Sequence, residues 1–285
     1  MTTSALSWPA ASPLLHAGCM PEPLTDAELL DAFETQVRRS IDNGHGWTHE
    51  RIGALVRSTA PSWSDFGGGV FLTELGPLTG AGVDAAIAGE VAYFSGLGKP
   101  WEWKLYAHDQ PADLPARLVA AGLVPEDVES LVVGEVEIVL AACSDATVPS
   151  EVELRELAET DHAGLAALLE AEWGDGAAVL RDLLAEQAAA PGRMPIHVAA
   201  VGDEIVSAGW VRFHEGTQFA SLWGGSTAPQ WRRRGIYRAL VARRAEQARA
   251  RDLRFLQVDA SPDSRPILER LGLRVVSTTT PYAGP

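Results

Sequence analysis

The chain has 285 residues, of which 46% are hydrophobic, and it carries 38 acidic residues against 23 lysines and arginines. That length suits two domains of ordinary size, and the hydrophobic fraction argues against wholesale disorder. No apolar run approaches the roughly 20 residues of a membrane helix, and the two cysteines, Cys19 and Cys143, exclude a disulfide framework and a cysteine zinc site.

The first residues, 1–24, are rich in serine, proline and alanine and predict a flexible tail. They contain no basic region followed by an apolar stretch, so they do not have the pattern of a secretory signal. We therefore expect a soluble, cytoplasmic protein.

The acidic residues are concentrated in the first half of the chain. Residues 1–148 contain 7 Lys/Arg against 20 Asp/Glu, whereas the remainder contains 16 against 18. A negative field disfavours nucleic acid, whose binding depends on phosphate contacts, and favours an amine. Surface acid also serves solubility alone. We expect a small-molecule amine as substrate, with neither nucleic acid nor membrane as partner.

In chain order, residues 70–75 predict a strand, 83–96 a helix and 101–106 a strand. Small and polar residues with Pro149 then interrupt the pattern and predict a domain boundary. The second half predicts a β-α-α-β-β-β-α-β-α-β order, which is typical of a mixed sheet flanked by helices. Its elements are expected at 152–157, 160–172, 178–190, 195–201, 204–213, 218–227, 235–251, 255–258, a short helix ending near 272, and 275–280.

Three arginines, Arg232, Arg233 and Arg234, lead directly into a helix that is predicted to begin at Gly235. The first turn of a helix has unpaired N–H groups and the positive end of the dipole, so it binds anions. A glycine there lets a phosphate approach the backbone, and arginines add charge-assisted hydrogen bonds. The alternative to an anion-binding site is a basic helix start that is simply solvated. The glycine after the arginines and the strand before them favour the anion-binding site.

The segment resembles the signature of the GNAT superfamily of acyl-CoA-dependent N-acetyltransferases, Gln/Arg-x-x-Gly-x-Gly/Ala, at Arg232, Gly235 and Tyr237. Tyrosine in the last place departs from the commonest form of the signature. The resemblance extends over roughly residues 152–282 in element order. It implies an α/β protein (an α+β mixed sheet) that uses acetyl-CoA as co-substrate, without a metal.

The resemblance also implies where the ligands lie. The CoA thioester would lie between two splayed strands, 218–227 and 255–259, and the amine would attack it directly while a strand N–H stabilises the oxyanion. The implied cofactor-binding residues are Ser226, Thr227, Arg232, Arg233, Arg234, Gly235, Ile236, Tyr237, Ser261 and Ser264.

The proton-transfer groups are less clear from the sequence. The superfamily often places a tyrosine four residues before the final glycine to protonate the thiolate, and that position is Leu268. Ser261, Ser264 or a water could replace it, or the step needs no dedicated acid. Glu172 and Asp259 are candidate catalytic bases, although each position is also typical of an ordinary helix-end or strand-end acid.

An internal match at an offset of 150 residues predicts a repeat. It pairs Asp109 with Asp259, Asp113 with Asp263, Leu118 with Leu268, Gly122 with Gly272 and Leu123 with Leu273. At this offset Asp84 stands opposite Arg234, so the first copy lacks the phosphate site. We therefore predict two GNAT-like domains in tandem, each a mixed twisted sheet flanked by helices: a degenerate domain at 25–142 without a CoA site, and an acetyltransferase domain at 150–285. The aromatic residues Trp101, Trp103 and Tyr106 are candidates for the seam between them.

The favoured function is an N-acyltransferase that acts on a small amine, as a monomer (a pseudo-dimer) or a homodimer. A non-catalytic acyl-CoA sensor or scaffold is the alternative, suggested by Leu268 and the absence of an obvious base. A nucleic-acid-binding module is a third, suggested only by the arginines of the long helix and opposed by the acidity.

Overall fold

A computed structural model describes residues 24–285, and the predicted tail lies outside this part except for Leu24, as does Cys19. Within residues 24–285 there are eight α-helices and twelve strands. The strands are β1 (Thr48–Ile52), β2 (Leu55–Thr59), β3 (Gly68–Thr73), β4 (Trp101–Tyr106), β5 (Val124–Pro125), β6 (Glu129–Glu135), β7 (Glu153–Glu156), β8 (Ile196–Val201), β9 (Glu204–Phe213), β10 (Phe219–Thr227), β11 (Phe255–Ala260) and β12 (Arg274–Ala283). The helices are α1 (Asp26–Phe33), α2 (Gly80–Leu97), α3 (Leu114–Ala120), α4 (Val136–Ala142), α5 (His162–Trp173), α6 (Gly176–Ala189), α7 (Ile236–Arg249) and α8 (Arg265–Arg270).

The two halves of the chain repeat one strand–helix–strand unit. In the first half α2 connects β3 to β4, which pair in parallel, and in the second half α7 connects β10 to β11, which also pair in parallel. Parallel neighbours need such a crossover, and the helix covers one face of the sheet. The predicted mixed α/β fold is confirmed.

All the strands join in one sheet, in the order β1-β2-β3-β4-β12-β6-β11-β10-β9-β8-β7, with β5 beside β12. The halves exchange strands at its centre. Strand β6 from the first half pairs with β11 from Phe255↔Glu135 to Ala260↔Ser130, and β12 from the second half pairs with β4 from Thr279↔Tyr106 to Ala283↔Glu102. The two predicted sheets are therefore a single continuous sheet, and dividing the chain between residues 142 and 150 does not separate it into two sheets.

The exchanged strands complete the hydrophobic cores. Val132 of β6 is fully buried among residues of α7, α8 and β10, and Tyr282 of β12 is 5% exposed in the core that α2 covers. Leu131 and Val133 point to the opposite face, where they pack against α1. Each half thus contributes apolar area to the core of the other.

The aromatic residues of β4 divide between two faces. Trp101 and Trp103 are buried in the core of the first half, so their predicted place in the seam is wrong. Tyr106 points the other way and packs between the halves, beside Phe33 and Phe219. Because side chains alternate along a strand, Glu102 and Lys104 share the face of Tyr106.

The internal repeat keeps its register in the short helix but not in the long one. Leu118 and Leu268 are both fully buried, and Gly122 and Gly272 both adopt positive φ, at 94° and 90°. However, α2 begins at Gly80 whereas α7 begins at Ile236. Asp84 therefore lies inside α2, six residues beyond the position that matches Arg234, and the predicted equivalence of those two residues is wrong.

An arginine from α3 lies at the start of α2 and is hydrogen-bonded to residues of that helix. Arg117 of α3 donates hydrogen bonds to the carbonyl oxygen of Gly80 at 3.2 Å and to Asp84 Oδ1 at 2.7 Å. Residues 76–79, which precede this helix, contain no arginine. The first half thus has a helix start in the corresponding place without the basic loop of the second.

None of the helices between Leu24 and Pro285 is both long and apolar enough to cross a membrane. The cytoplasmic location stays a prediction.

Candidate active site

Strands β10 and β11 form a fork. They pair in parallel only through Phe219, Ala220 and Ser221, and no further pairs join them beyond Gln257. On the side that faces β11, the N–H groups of β10 past Ser221 have no strand partner. Such unpaired groups can bind an extended, amide-containing ligand or a developing negative charge.

A β-bulge in β10 lies just beyond the fork. The pairing with β9 shifts register between Trp223 and Ser226, and Gly224 adopts a φ of 62°. A Cβ atom on Gly224 would collide with the ring of Trp210. Glycine is therefore required here both by the backbone conformation and by the tryptophan that covers it.

A buried arginine that was not predicted from the sequence donates hydrogen bonds to the backbone at the bulge. Arg244 of α7 is 1% exposed and donates hydrogen bonds to the carbonyl oxygens of Trp210 at 3.3 Å and Trp223 at 3.2 Å. Burial lowers the pKa of Arg244 to about 10, so the side chain stays charged at neutral pH. Its spacing from Ile236 and Leu240, which lie at i−8 and i−4 on the same helix face, was the available signal.

The arginine-rich loop lies beside the fork. Arg232 donates from Nε to the carbonyl oxygen of Thr227 at 2.8 Å, which ties the loop to the end of β10. Arg233 and Gly235 both adopt positive φ, at 62° and 82°, and α7 begins at the next residue. A Cβ atom on Gly235 would collide with the carbonyl oxygen of Thr147, so packing against the linker also requires glycine there.

A cleft of about 560 Å³ runs from the loop to the start of α8. Of the residues predicted to bind cofactor, it is lined by Thr227, Arg232, Arg233, Gly235, Ile236, Tyr237, Ser261 and Ser264. Arg238 and Arg270, which were not predicted, add two further cations. The cleft thus combines a helix N-terminus with several arginines, as an anionic ligand requires.

Two of the predicted cofactor residues do not line the cleft. Arg234 turns away, and its guanidinium carbon lies 4.7 Å from the centre of the Trp231 ring. Ser226 is 2% exposed, and its carbonyl oxygen accepts a hydrogen bond from Ser207 Oγ at 2.6 Å. Arg234 was predicted from its position in the motif, which does not specify where a side chain points. Ser226 was predicted for the backbone groups near it at the end of β10, not for its side chain.

The two arginines make a matched test. We expect Arg233→Gln to weaken CoA binding about 10-fold to 100-fold, because a hydrogen bond to a charged group contributes about 1.5–3 kcal/mol. Arg234→Gln removes the same charge one residue away from the cleft lining and should change affinity by much less. Titration calorimetry with CoA compares the two variants, and equal losses would show that the loop acts only through its net charge.

The hydroxyl of Tyr237 is free in the cleft. Its ring lies against the bulge, since a Cβ atom on Gly225 would stand 2.7 Å from Tyr237 Cε2. The hydroxyl has no hydrogen-bond partner within residues 24–285, and burial raises its pKa, so it stays protonated at neutral pH. Leu268, by contrast, is fully buried in the core and cannot donate a proton.

The predicted serines form a local turn. Ser261 Oγ and Ser264 Oγ are 3.1 Å apart, and the N–H of Ser264 donates to Ser261 Oγ at 3.3 Å. These hydrogen bonds order the residues before α8, and the side chains are exposed at the cleft. Their hydroxyls are therefore engaged with each other rather than with the fork.

The structure separates the two candidate bases. Glu172, near the end of α5, lines the basic cleft, with its carboxylate 3.3 Å from Arg232 Nη2. Asp259 points to the opposite face of β11, where Lys104 Nζ donates to its Oδ2 at 2.7 Å. Asp259 Oδ1 is buried and has no partner among the described residues.

Asp259 lines a second cavity, of about 340 Å³, on the other side of the fork. Trp223 and Asp259 border this cavity, while Gly225 and Ser261, two residues further along the same strands, border the cleft. The diverging ends of β10 and β11 therefore separate two ligand-sized spaces. A group that passes through the fork from the cleft would reach the second cavity.

Comparison with known proteins identifies the second half. Residues 160–284 match the family model for the acetyltransferase (GNAT) domain. The second half is a GNAT domain. The predicted resemblance to the superfamily is confirmed, and the basic loop, the fork and the bulge are all parts of this GNAT domain.

Solved structures with the same fold extend over both halves. A GCN5-related N-acetyltransferase from Kribbella flavida is 15% identical with a TM-score of 0.62, and covers 91% of this chain and 95% of its own. A functionally unknown conserved protein from Staphylococcus epidermidis is 11% identical with a TM-score of 0.65, covering 89% and 99%. A tandem GNAT protein from the clavulanic acid biosynthesis pathway is 12% identical with a TM-score of 0.58, covering 91% and 95%. The fold of these structures thus extends over both halves of the chain. None of the curated proteins matched the sequence.

Proposed function

We propose that the protein is an N-acyltransferase that transfers the acetyl group of acetyl-CoA to the amino group of a small molecule. The observation that carries this proposal is the fork, with a basic cleft on one side and a second cavity on the other. The cleft suits the pyrophosphate and pantetheine of CoA, and the second cavity suits the acceptor. Bound acetyl-CoA would supply a thioester carbonyl as the electrophile.

The chain's own residues would stabilise the negative charge that develops on the carbonyl oxygen, and they would accept and donate the protons. Unpaired N–H groups of β10 beyond Ser221 would stabilise the oxyanion, as a strand N–H does in acyl transfer. The amine nitrogen would first form the new bond to the carbonyl carbon, and the bond from that carbon to sulfur would break as the oxyanion collapses. The amine proton would pass to a carboxylate in the second cavity, and the departing sulfur would receive a proton from the Tyr237 hydroxyl.

The proposal predicts that CoA and acetyl-CoA raise the thermal midpoint of unfolding, since a ligand that binds only the folded state stabilises it. At a CoA concentration 100 times Kd the gain is about 2.7 kcal/mol. Thermal denaturation with and without CoA measures this effect, and Arg233→Gln serves as the control with reduced response. An unchanged midpoint at saturating CoA would refute the cofactor assignment.

Turnover is the second part of the test. Acetyl-CoA is incubated with a panel of primary amines, and released CoA thiol is quantified together with the acetylated amine. Release that depends on the amine supports the enzyme. Binding of CoA without release for every amine would favour the sensor alternative, which rests on the leucine at position 268.

A further inference from the structure

The second cavity has its own chemistry, to which both halves of the chain contribute. Its floor is formed by the fork residues of the GNAT domain, and its wall and two carboxylates, Asp42 and Glu102, come from the first half. At about 340 Å³ it lies at the small end of ligand cavities, which measure roughly 300–1,000 Å³. The occupant is therefore a small molecule.

The cations of this cavity are already paired. Arg38 donates to Asp109 Oδ2 at 2.7 Å, Arg212 donates to Glu186 Oε2 at 2.8 Å, and Lys104 donates to Asp259 Oδ2 at 2.7 Å. None of these groups is left with a free positive charge for a ligand. A carboxylate on the acceptor would have to be desolvated without a counter-charge, which is unfavourable.

Two carboxylates of the cavity, in contrast, can still accept hydrogen bonds. Glu102 lines the cavity and has no ion pair or hydrogen bond within residues 24–285, and one oxygen of Asp259 is buried without a partner. Burial raises the pKa of Glu102, which suits a group that accepts a proton from an ammonium. Of the other titratable groups that line the cavity, His214 has its pKa lowered to about 4 by burial and is neutral, and burial raises the pKa of Tyr106. Asp42 is paired with Arg193.

The wall of the cavity is aromatic. The Trp47 ring centre lies 6.2 Å from that of Phe66 and 6.1 Å from that of Phe71, and these rings are half-buried. Phe33 and Tyr106 continue the apolar surface toward the fork. Such a surface binds an apolar or aromatic body, since its contribution grows with the apolar area removed from water.

We infer that the acceptor is a small primary amine with an aromatic or apolar body and no carboxylate, whose amino group lies between Glu102 and Asp259. This inference rests on the proposed function for the identity of the reacting group. It concerns only the second cavity, so its binding test does not need acetyl-CoA.

The test uses acceptors that differ in one feature. Phenethylamine and phenylalanine differ only in the carboxylate, and glucosamine replaces the apolar body with hydroxyl groups. Calorimetry on the full chain without acetyl-CoA should show phenethylamine binding at least about 10-fold tighter than either of the others. Tighter binding of phenylalanine or glucosamine, or no binding of phenethylamine, would overturn the inference.

Single substitutions test where the amino group of the acceptor lies in the second cavity. Glu102→Gln keeps the shape of the side chain and should weaken phenethylamine binding about 10-fold to 100-fold while CoA binding is unchanged. Glu50→Gln is the matched control, because Glu50 is exposed on β1. Trp47→Leu should weaken the binding of phenethylamine, because the aromatic contact is lost. The binding of butylamine, which has no ring, should be weak in both proteins and nearly unchanged. Equal affinity of the wild type and Glu102→Gln for phenethylamine would refute the assigned position.

The same experiment separates the two proposals. If phenethylamine binds but no amine releases thiol from acetyl-CoA, the acceptor class stands and the enzymatic function fails. If thiol release occurs with glucosamine or phenylalanine and not with phenethylamine, the enzymatic function stands and the acceptor class is wrong.

Discussion

Residues 144–285, produced without the first half, should fail to form a stable domain, although they contain the whole matched GNAT family segment. They lack β6, whose Leu131, Val132 and Val133 are fully buried against residues of the second half. Burial of such side chains contributes about 1.5–3 kcal/mol each, so their loss costs several kcal/mol, against a total stability of roughly 5–15 kcal/mol. The fragment would also expose the unpaired edge of β11.

Circular dichroism and thermal denaturation of the fragment test this expectation. We expect aggregation, or a broad transition without a cooperative midpoint, and recovery of the folded form when residues 24–143 are produced together as a separate chain. The opposite result, in which the fragment alone unfolds cooperatively at the midpoint of the full chain, would show that β6 is dispensable to the GNAT domain.

Tyr237→Phe should lower kcat about 100-fold while CoA affinity stays close to that of the wild type. General acid catalysis typically contributes about 100-fold to 10,000-fold, and a CoA thiolate is a good leaving group, so the lower end applies. The phenylalanine keeps the ring against Gly225 and removes only the free hydroxyl. Steady-state rates at saturating acetyl-CoA and amine give the effect on kcat.

Ser261→Ala and Ser264→Ala are the controls for that measurement, because their hydroxyls bond to each other in the turn before α8. We expect only small changes in kcat for both. An unaltered rate in Tyr237→Phe would leave water as the proton donor, and a 100-fold fall in either serine variant would assign the proton to that serine instead.

The basic loop before α7 could be predicted from the sequence because its residues are consecutive. The arginines, Gly235 and the start of α7 lie within a few residues, and local backbone chemistry decides what they can bind. The direction in which each arginine side chain points could not be predicted from these consecutive residues. Arg234 stacks on Trp231, a contact that depends on the path of the loop.

The second cavity could not be predicted from the sequence, because its lining residues come from distant parts of the chain. Trp47, Glu102 and Asp259 line one space, yet no sequence period connects them. Asp259 was singled out from its place at a strand end, but its partner Lys104 comes from the other half through the exchanged strands. A local sequence pattern indicates which face of the sheet a side chain occupies. It does not indicate which strand of the other half of the chain pairs with that strand.

The strand pattern of the second half could be predicted well because its apolar residues follow regular periods. Strands β8 and β9 with their turn, and the long helix α7, lie close to the predicted positions. Strand β6 was missed, and its central residues are buried on both faces, which gives no alternation. Only the assembled sheet reveals that it belongs with β11.

The exchange of strands between the halves also determines when each half can complete its folding during translation. Strand β12 begins at Arg274, far beyond the end of β4 at Tyr106, and β4 has no neighbour on that side until β12 arrives. A ribosome adds roughly 5–20 residues per second, so the nascent first half waits on the order of ten seconds or more with an open sheet edge. Its folding cannot be completed one domain at a time during translation, and the open edge is the place where a chaperone would be needed.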